Sequence, residues 1–592
     1  MAIKTMKLSD YVINYLSEQG INCVFEVCGG AITHLIDSLY ERKDINAISV
    51  HHEQAAAFAA EGYARVSGNL GIAMATSGPG ATNLITGIAS CYFDSIPSLF
   101  ITGQVNTYEF KFDKPVRQIG FQETDIVRIV RPVVKDAILV ENPKKIKYYL
   151  EKLVCVAKSG RPGPVLLDIP MNIQRADIDP EELESFYDKD KNKSNLKVDI
   201  KRIKKIAKVV KSAFRPVVLA GGGVRLSGAS EELSKFISKT KIPVVVSLMG
   251  LDAFPHKNQS FVGMIGTYGN RYANLTIANA DMVLVLGTRL DTRQTGTKPE
   301  TFARGARIIH VDVDPNELDN KIKAKYAIES DIKVFLKTLN KYVNAYDVNK
   351  TKKWRKTIKG YKRQYPSYRN TSCKFIDPNL FIHQLSDVIP EGAVICADVG
   401  QNQIWTAQSL SINKTQRFLT QGGMGAMGSA LSMAIGASFA KPNKLIIVIT
   451  GDGGFQLNIQ ELETIYNHKL PIKIIMLNNH CYGMIRQFQE QYFDARFQSS
   501  VIGYSAPDFQ DVVSAYKIPV NRISCGADVG DALKKLFRNT QPMFLEVDIK
   551  SETQVMPKLS VNKPIEDQDP LLSRKELQSN MFVDLLYEGD NK

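Results

Sequence analysis

The sequence predicts an α/β protein built as three successive parallel-sheet domains. Short runs rich in β-branched and aliphatic residues, the pattern of strands buried on both faces, alternate with stretches at helical spacing. The chain has 592 residues, more than one hydrophobic core serves. Two Lys-rich stretches, 189–211 and 350–369, mark off blocks at 1–185, 195–345 and 375–550, followed by a tail at 551–592. A strand–helix rhythm repeated in each block makes three parallel sheets the simplest architecture.

In the first block "AISV", "GIAMAT" and "SLFITG" read as strands, alternating with "EQAAAFAAEGYARV" and "ATNLITGIASCYF", both rich in helix formers. The middle block repeats the rhythm with "PVVLAGGG", "IPVVVSLMG", "MVLVLGT" and "RIIHVDVD". The third holds "AVICADVG", "LIIVIT", "IKIIML" and "MFLEVDI". The tail segment "MPKLSVNKPIEDQDPLLSRKELQSNM", 556–581, has three prolines and no clear period. A segment that long without a pattern is either disordered or covers a site, and a cover is the reading adopted.

With 44% hydrophobic and 23% charged residues, the composition is that of a soluble globular protein. The net charge of +14 invites a nucleic-acid reading, but the excess sits in the two Lys-rich stretches, read as solvated linkers or helix faces, and nucleic acid is discounted. No run of 18 apolar residues occurs and Met1–Asp10 lacks a signal-like apolar region, so no membrane partner is expected. The eight cysteines form no CxxC pair, which fits a reducing compartment, with the cytoplasm as default.

One stretch carries most of the chemistry. "TGDGGFQLNIQELETIYNHKLPIKIIMLNN", 450–479, sets Asp452 and Asn479 27 residues apart across a strand–helix–strand pattern. A right-handed crossover brings both to the carboxyl edge of one sheet. Gly451, Gly453 and Gly454 let backbone N–H groups approach an anion there. Hard oxygen ligands beside an anion cradle suggest Mg²⁺ holding a diphosphate, although a plain βα turn with a capping Asp meets the same local pattern. Glu53 also follows a strand directly, where a first-turn acid favoured by the helix dipole is the blander reading. "CGGA" (28–31) and "TSGPGATN" (76–83) are further Gly-rich turns, and Met427 projects from "GGMGAMG" (422–428), where a soft side chain suits the underside of a flat ligand.

These motifs together resemble the thiamine-diphosphate-dependent enzymes, and among them the acetolactate synthase group. The likeness is carried by "GDGG" to "LNN", "HHEQAAAFAAEGYAR", "TSGPGATN", "FQE" (121–123), "GTRLDTRQTG" (287–296) and "GGMGAMG", and covers nearly the whole chain. It implies a pyrimidine-binding, a central and a diphosphate-binding domain. It implies that Asp452, Asn479 and the Cys481 carbonyl ligate Mg²⁺, and that Glu53 hydrogen-bonds N1′ of the aminopyrimidine. Met427 would support the bent cofactor, with Gly425 receiving the 4′-amino group; Gly400, Gln401, Asn402, Gly453, Gly454 and Met484 complete the thiamine diphosphate site, and Gln122 points at substrate. Arg225, Gly287, Arg289, Asp291, Arg293 and Asp312 match a central site that holds FAD, in some relatives ADP or nothing. The resemblance further implies a homodimer or homotetramer with active sites between subunits.

The chain departs from the branched-chain enzyme at four positions: Phe488 stands for a Trp beside the acceptor pocket, Asn402 for a His, Cys28 for a Pro and Tyr268 for a His. The tail resembles those of relatives found with surface-polysaccharide and nucleotide-sugar enzymes. The expected function is therefore a carboligase that decarboxylates pyruvate and passes the two-carbon unit to a carbonyl acceptor, a nucleotide-linked keto sugar, with hydroxyls held by Glu566, Asp567 and Asp569. Acetolactate synthesis from two pyruvates is the alternative, and a catalytically silent cofactor-binding subunit a third. Cys28 and Cys481 are read as small packing residues, because no motif places a His beside them.

Overall fold

A computed structural model describes residues 5–187, 198–369 and 374–586. Three six-stranded sheets follow one another along the chain, and every neighbouring pair of strands within them is parallel. The central strands, such as Gly71–Ala75, Met282–Leu286 and Ile472–Asn478, are buried along their whole length, which is why they read as unbroken apolar runs.

The first sheet is ordered Asn46–Ser49, Cys23–Val27, Gly71–Ala75, Ser98–Gln104, Pro164–Pro170, Asp136–Leu139. The third runs Arg417–Leu419, Val394–Ala397, Ile446–Gly451, Ile472–Asn478, Met543–Asp548, Val520–Ile523. Counted from the first strand of each, both follow the order 2-1-3-4-6-5, so the two domains repeat one topology. The central sheet differs, running Phe261–Met264, Val244–Val246, Pro216–Ala220, Met282–Leu286, Arg307–Asp312, Tyr326–Glu329, or 3-2-1-4-5-6. Each sheet reverses its strand order beside its first strand, and ligands of open α/β sheets bind at the carboxyl ends of the strands flanking such a reversal.

The first and third domains meet through the helices Glu53–Ser67 and Ser429–Ala440. A Cβ on Gly62 would lie 2.1 Å from the Met433 carbonyl oxygen, and one on Gly436 would lie 1.8 Å from that of Ala59. The backbones touch, which explains why both helices are made of Ala, Gly and Ser at their contact.

Two expectations about the basic stretches and the tail change here. Residues 189–197 lie outside the described residues, but Ile200–Ser212 is a helix with Ile203, Ile206 and Val210 buried. Lys352–Gln364, read as a solvated linker or helix face, is a helix with such a face, and it also buries Trp354, Ile358 and Tyr361 in the core beneath the helix Arg271–Ala278. Its lysines take the outer face, so charge density alone concealed an apolar stripe.

The tail is tied down along its length. Lys558–Leu559 pairs with Gln568–Asp569, the Leu559 N–H donates to the Thr267 carbonyl, and Ile565 and Leu577 enter the central core. Glu566 is 1% exposed, 2.8 Å from Arg304, and Asp567 is 2.7 Å from Arg574. Asp569 takes the Ser560 hydroxyl. These carboxylates serve the protein's own folding, which corrects the expectation that they hold substrate hydroxyls.

Arg304→Ala strands the buried Glu566 carboxylate. Removing one partner of a buried pair costs about 3–5 kcal/mol, and burial already raises the pKa of Glu566, so partial neutralisation places the expected loss near the lower figure. Calorimetric melting should show a clear fall in Tm, with a smaller one for Arg574→Ala, whose side chain is half-exposed.

Candidate functional site

At the reversal in the third sheet, Val394–Ala397 ends in Asp398 and Gly400, and Ile446–Gly451 ends in Asp452. The next strand, Ile472–Asn478, delivers Asn479 to the same edge. Asp452 is 2% exposed and its Oδ2 accepts from the Tyr504 hydroxyl at 2.6 Å. Burial pushes its carboxyl above the usual range, while that hydrogen bond works in the opposite direction. Asn479 Nδ2 donates to Gln401 Oε1 at 2.7 Å. Its Oδ1 therefore faces the Cys481 carbonyl oxygen at 2.9 Å and Asp452 Oδ1 at 3.2 Å. An amide turned the other way would donate its N–H₂ to both of these oxygens; with the oxygen inward, as the bond to Gln401 requires, the three oxygens form a donor-free set, which a hard divalent cation accommodates. Asp452, Asn479 and Cys481, chosen from sequence as metal ligands, are thus brought together.

The glycines around them clear space for side chains as well as for backbone. A Cβ on Gly454 would sit 2.1 Å from Asp398 Oδ2, and one on Gly453 would sit 2.5 Å from the Tyr482 ring. Asp398, 1% exposed, accepts from the backbone N–H groups of Gly428 and Ser429 and from Thr450 Oγ1. It caps the helix Ser429–Ala440 and sets the "GGMGAMG" loop against the metal-ligand edge. Burial raises its pKa, and those backbone donors pull it back down. Asn402 Nδ2 donates to the carbonyls of Asp398 and Ile449, so its side chain stitches two strand ends together, and its Oδ1 crowds the place where a Cβ on Gly400 or Gly451 would stand. Met427 and Gly425 are partly exposed, and Met484 packs against the core.

A second cluster forms in the first domain. Glu53 opens its helix and accepts from Asn83 Nδ2 at 2.9 Å, while a Cβ on Gly80 would lie 3.4 Å from its Oε1. Gln122 is held at φ +63°, unusual outside Gly and Asn, and a Cβ on Gly78 would meet its Cβ at 3.0 Å. Glu123 fixes this loop by accepting from the N–H groups of Lys111, Ile119 and Gly120. Glu53, "TSGPGATN" and Gln122 are therefore neighbours, as expected of residues serving one site. Among the described residues, no hydrogen bond joins the Glu53 carboxylate to the third domain; its neighbours His51 and Gln54 reach Glu461 and Asn458.

A cavity of about 520 Å³ opens at the reversal of the central sheet, where Arg225, Gly287, Arg289, Asp291, Arg293 and Asp312 line it together with residues of the first and third domains such as Arg65, Asp94 and Arg417. Arg225 Nε is buried 3.3 Å from Asp252, without a well-aligned hydrogen bond. Arg289 lies 3.4 Å from Asp291. Guanidinium groups gathered in a cavity, with Arg225 Nε left without a well-aligned hydrogen bond, suit a phosphorylated ligand. Tyr268 lines the same cavity.

Sequence reasoning missed Asp398 and Tyr504. Asp398 followed a recognised strand directly, which was a usable signal; Tyr504 had none, because its partner lies 52 residues away. Of the two cysteines read as packing residues, Cys481 is buried with its thiol pushed up to about 11 by burial, whereas Cys28 is exposed in the single chain. Cys373 lies outside the described residues.

Three segments match the thiamine pyrophosphate enzymes: the N-terminal TPP binding domain at 6–129, the central domain at 203–339 and the C-terminal TPP binding domain at 398–547. The acetolactate synthase large subunit of Cyanidium caldarium is 36% identical over 93% of this chain and 94% of its own. The probable acetolactate synthase large subunit of Methanocaldococcus jannaschii is 37% identical over 92% of each. The acetolactate synthase isozyme 2 large subunit of Escherichia coli K12 is 36% identical over 93% of this chain and 97% of its own.

Gly454→Ala forces its new methyl into Asp398 Oδ2, and overpacking of this kind costs about 1–3 kcal/mol. Gly30→Ala, which meets nothing within 4 Å, is the control. Thermal melting should separate the two clearly.

Proposed function

The chain belongs to the thiamine pyrophosphate enzymes and is an acetolactate synthase-like, C–C bond-forming member, and we propose that it decarboxylates pyruvate and transfers the remaining two-carbon unit to a second pyruvate. The observation that carries the cofactor part is the convergence of Asp452 and the Cys481 carbonyl on the Asn479 amide, within 3.2 Å of it and beside a glycine-rich turn. These three would hold Mg²⁺ and, through it, the diphosphate. Bound thiamine diphosphate supplies the electron sink that decarboxylation of a 2-oxo acid requires. Glu53 holds and exchanges a proton at the aminopyrimidine, Met427 supports the rings, and Gln122 orients the substrate. Carbon dioxide leaves the donor, and the new bond forms at the acceptor's carbonyl carbon, whose oxygen takes up a proton.

A nucleotide-linked keto sugar as acceptor is a second reading, favoured by Phe488, which is 45% exposed beside Tyr492 and Phe493 and leaves room for a large acceptor. The tail carboxylates no longer support it. Glu53 and Asp452 belong to separate clusters, and Tyr108, Phe121, Met424, Ile485 and Phe488 are exposed apolar side chains near them. Exposed apolar surface of this kind suits a subunit interface, so the working unit on this reading is a homodimer or homotetramer. FAD is the ligand assigned to the central cavity.

Incubation with pyruvate, Mg²⁺ and thiamine diphosphate, with and without keto sugars, and product identification by mass should give acetolactate from pyruvate alone; a sugar-bearing product and no acetolactate would establish the second reading instead. Glu53→Gln should retain the cofactor while slowing hydrogen–deuterium exchange at its thiazolium C2 by at least about 10²-fold, the usual contribution of general acid–base catalysis. Purified protein should release a non-covalent flavin on denaturation, read by its visible absorbance, and Arg289→Ala should reduce the amount.

A further inference from the structure

A row of buried amides runs from the start of the tail to the metal-ligand edge. The Val555 N–H donates to Gln487 Oε1 at 2.9 Å, and Gln487 Nε2 donates to the Val555 carbonyl at 3.0 Å. Backbone polarity cannot be reversed, so this double contact fixes which end of the Gln487 amide is oxygen. Gln487 Oε1 then receives Gln401 Nε2 at 3.2 Å, and the same Nε2 donates to the Thr553 carbonyl at 3.2 Å. Gln401 must therefore turn its Oε1 to Asn479, which answers with Nδ2 at 2.7 Å. Only Oδ1 of Asn479 is left to face Asp452 and the Cys481 carbonyl.

Every arrangement leaves an oxygen–oxygen conflict, and only the one at Asp452 and the Cys481 carbonyl can be relieved by a cation. Turning Asn479 alone sets its oxygen against Gln401 Oε1. Turning Gln401 as well sets oxygen against both Gln487 Oε1 and the Thr553 carbonyl. Gln487, Gln401 and Asn479 are each 4–5% exposed, so water is poorly placed to relieve either arrangement. Gly483 provides the passage, because a Cβ there would lie 2.0 Å from Gln401 Oε1 and 2.3 Å from Asn479 Nδ2.

We propose that Val555, Gln487 and Gln401 act as a polarity relay that presents the Asn479 oxygen to the metal ion, making residues 553–555 part of the machinery that assembles the metal site. Gln487 and Gln401 are positioning residues on this account. The inference rests on the metal reading given above but adds a cause for it: the backbone of a segment more than 70 residues from Asn479 dictates the orientation of a ligand. Tail docking and metal affinity are thereby coupled.

The test is a Mn²⁺ titration of the full chain with thiamine diphosphate present, following free Mn²⁺ by its EPR signal. Loss of partners that orient a metal ligand typically costs 10–100-fold in affinity. Gln487→Leu should weaken Mn²⁺ binding by about 10–100-fold. Gln487→Glu, whose buried protonated carboxyl can keep one acceptor and one donor at the same places, should recover most of that loss, which a purely packing role would not produce. Should Gln487→Leu not fold, Gln487→Met is titrated with the same expectation. Wild-type Mn²⁺ affinity in the folded Leu or Met variant overturns the relay. Asp452→Ala separates the two levels: undiminished Mn²⁺ binding in that variant overturns the metal reading itself, whereas its loss alongside a normal Gln487 variant overturns the relay alone.

Discussion

Asp452 and the Cys481 carbonyl are both held within hydrogen-bond distance of the Asn479 amide, and the orientation of that amide is the constraint around which the edge of the third domain is arranged. With the amide oxygen inward the grouping is repulsive until a cation enters it, and the protein must supply the rigidity that keeps it together. It does so from three directions. Tyr504 holds the outer oxygen of Asp452, Gln401 holds the amide of Asn479, and the Cys481 carbonyl is carried by a loop whose Tyr482 N–H is tied to the Ser500 carbonyl at 3.0 Å.

The topology explains why these supports are available. Both the first and third sheets reverse between their first and third strands, and the backbone contact between Gly62 and Met433 locks one domain to the other. Each reversal exposes Gly-rich turns at strand ends. The first domain uses its edge to gather Glu53 and Gln122, while the third gathers Asp452, Asn479 and the Cys481 carbonyl. The central sheet, with a different strand order, lines a cavity with cationic side chains, completed by residues of the other two domains. One architectural rule thus generates three polar edges with different chemistry.

The tail shows how a polar, unpatterned segment becomes ordered. Its acids find Arg304 and Arg574, its apolar residues Ile565 and Leu577 enter the central core, and its first residues bond to Gln401 and Gln487. It therefore passes from the metal edge of the third domain onto the central domain, and neither docking partner lies near it in the sequence.

The sequence by itself determined the three-sheet architecture, because strands buried on both faces leave apolar runs that need no partner to be recognised, as in "LIIVIT" and "MVLVLGT". It also placed Asp452 and Asn479 at one sheet edge, since βαβ chirality sends strand ends there whatever else the chain does, whereas Cys481 and the six central-cavity residues came from the resemblance to a known family. Shorter strands such as Arg417–Leu419 and Val520–Ile523 were not legible; three or four residues with one or two charged or polar members carry too little periodicity. The burial of Lys352–Gln364 was hidden by its lysines. Only the tertiary structure decided the roles of Asp398, Tyr504 and the Gln487–Gln401 row, and it moved Glu566 and Asp567 from substrate binding to internal ion pairs. The reason is common to all of them: a hydrogen bond or ion pair is specific in space, and its partner can stand anywhere along the chain, so local pattern fixes where a backbone goes but not what its polar side chains will meet.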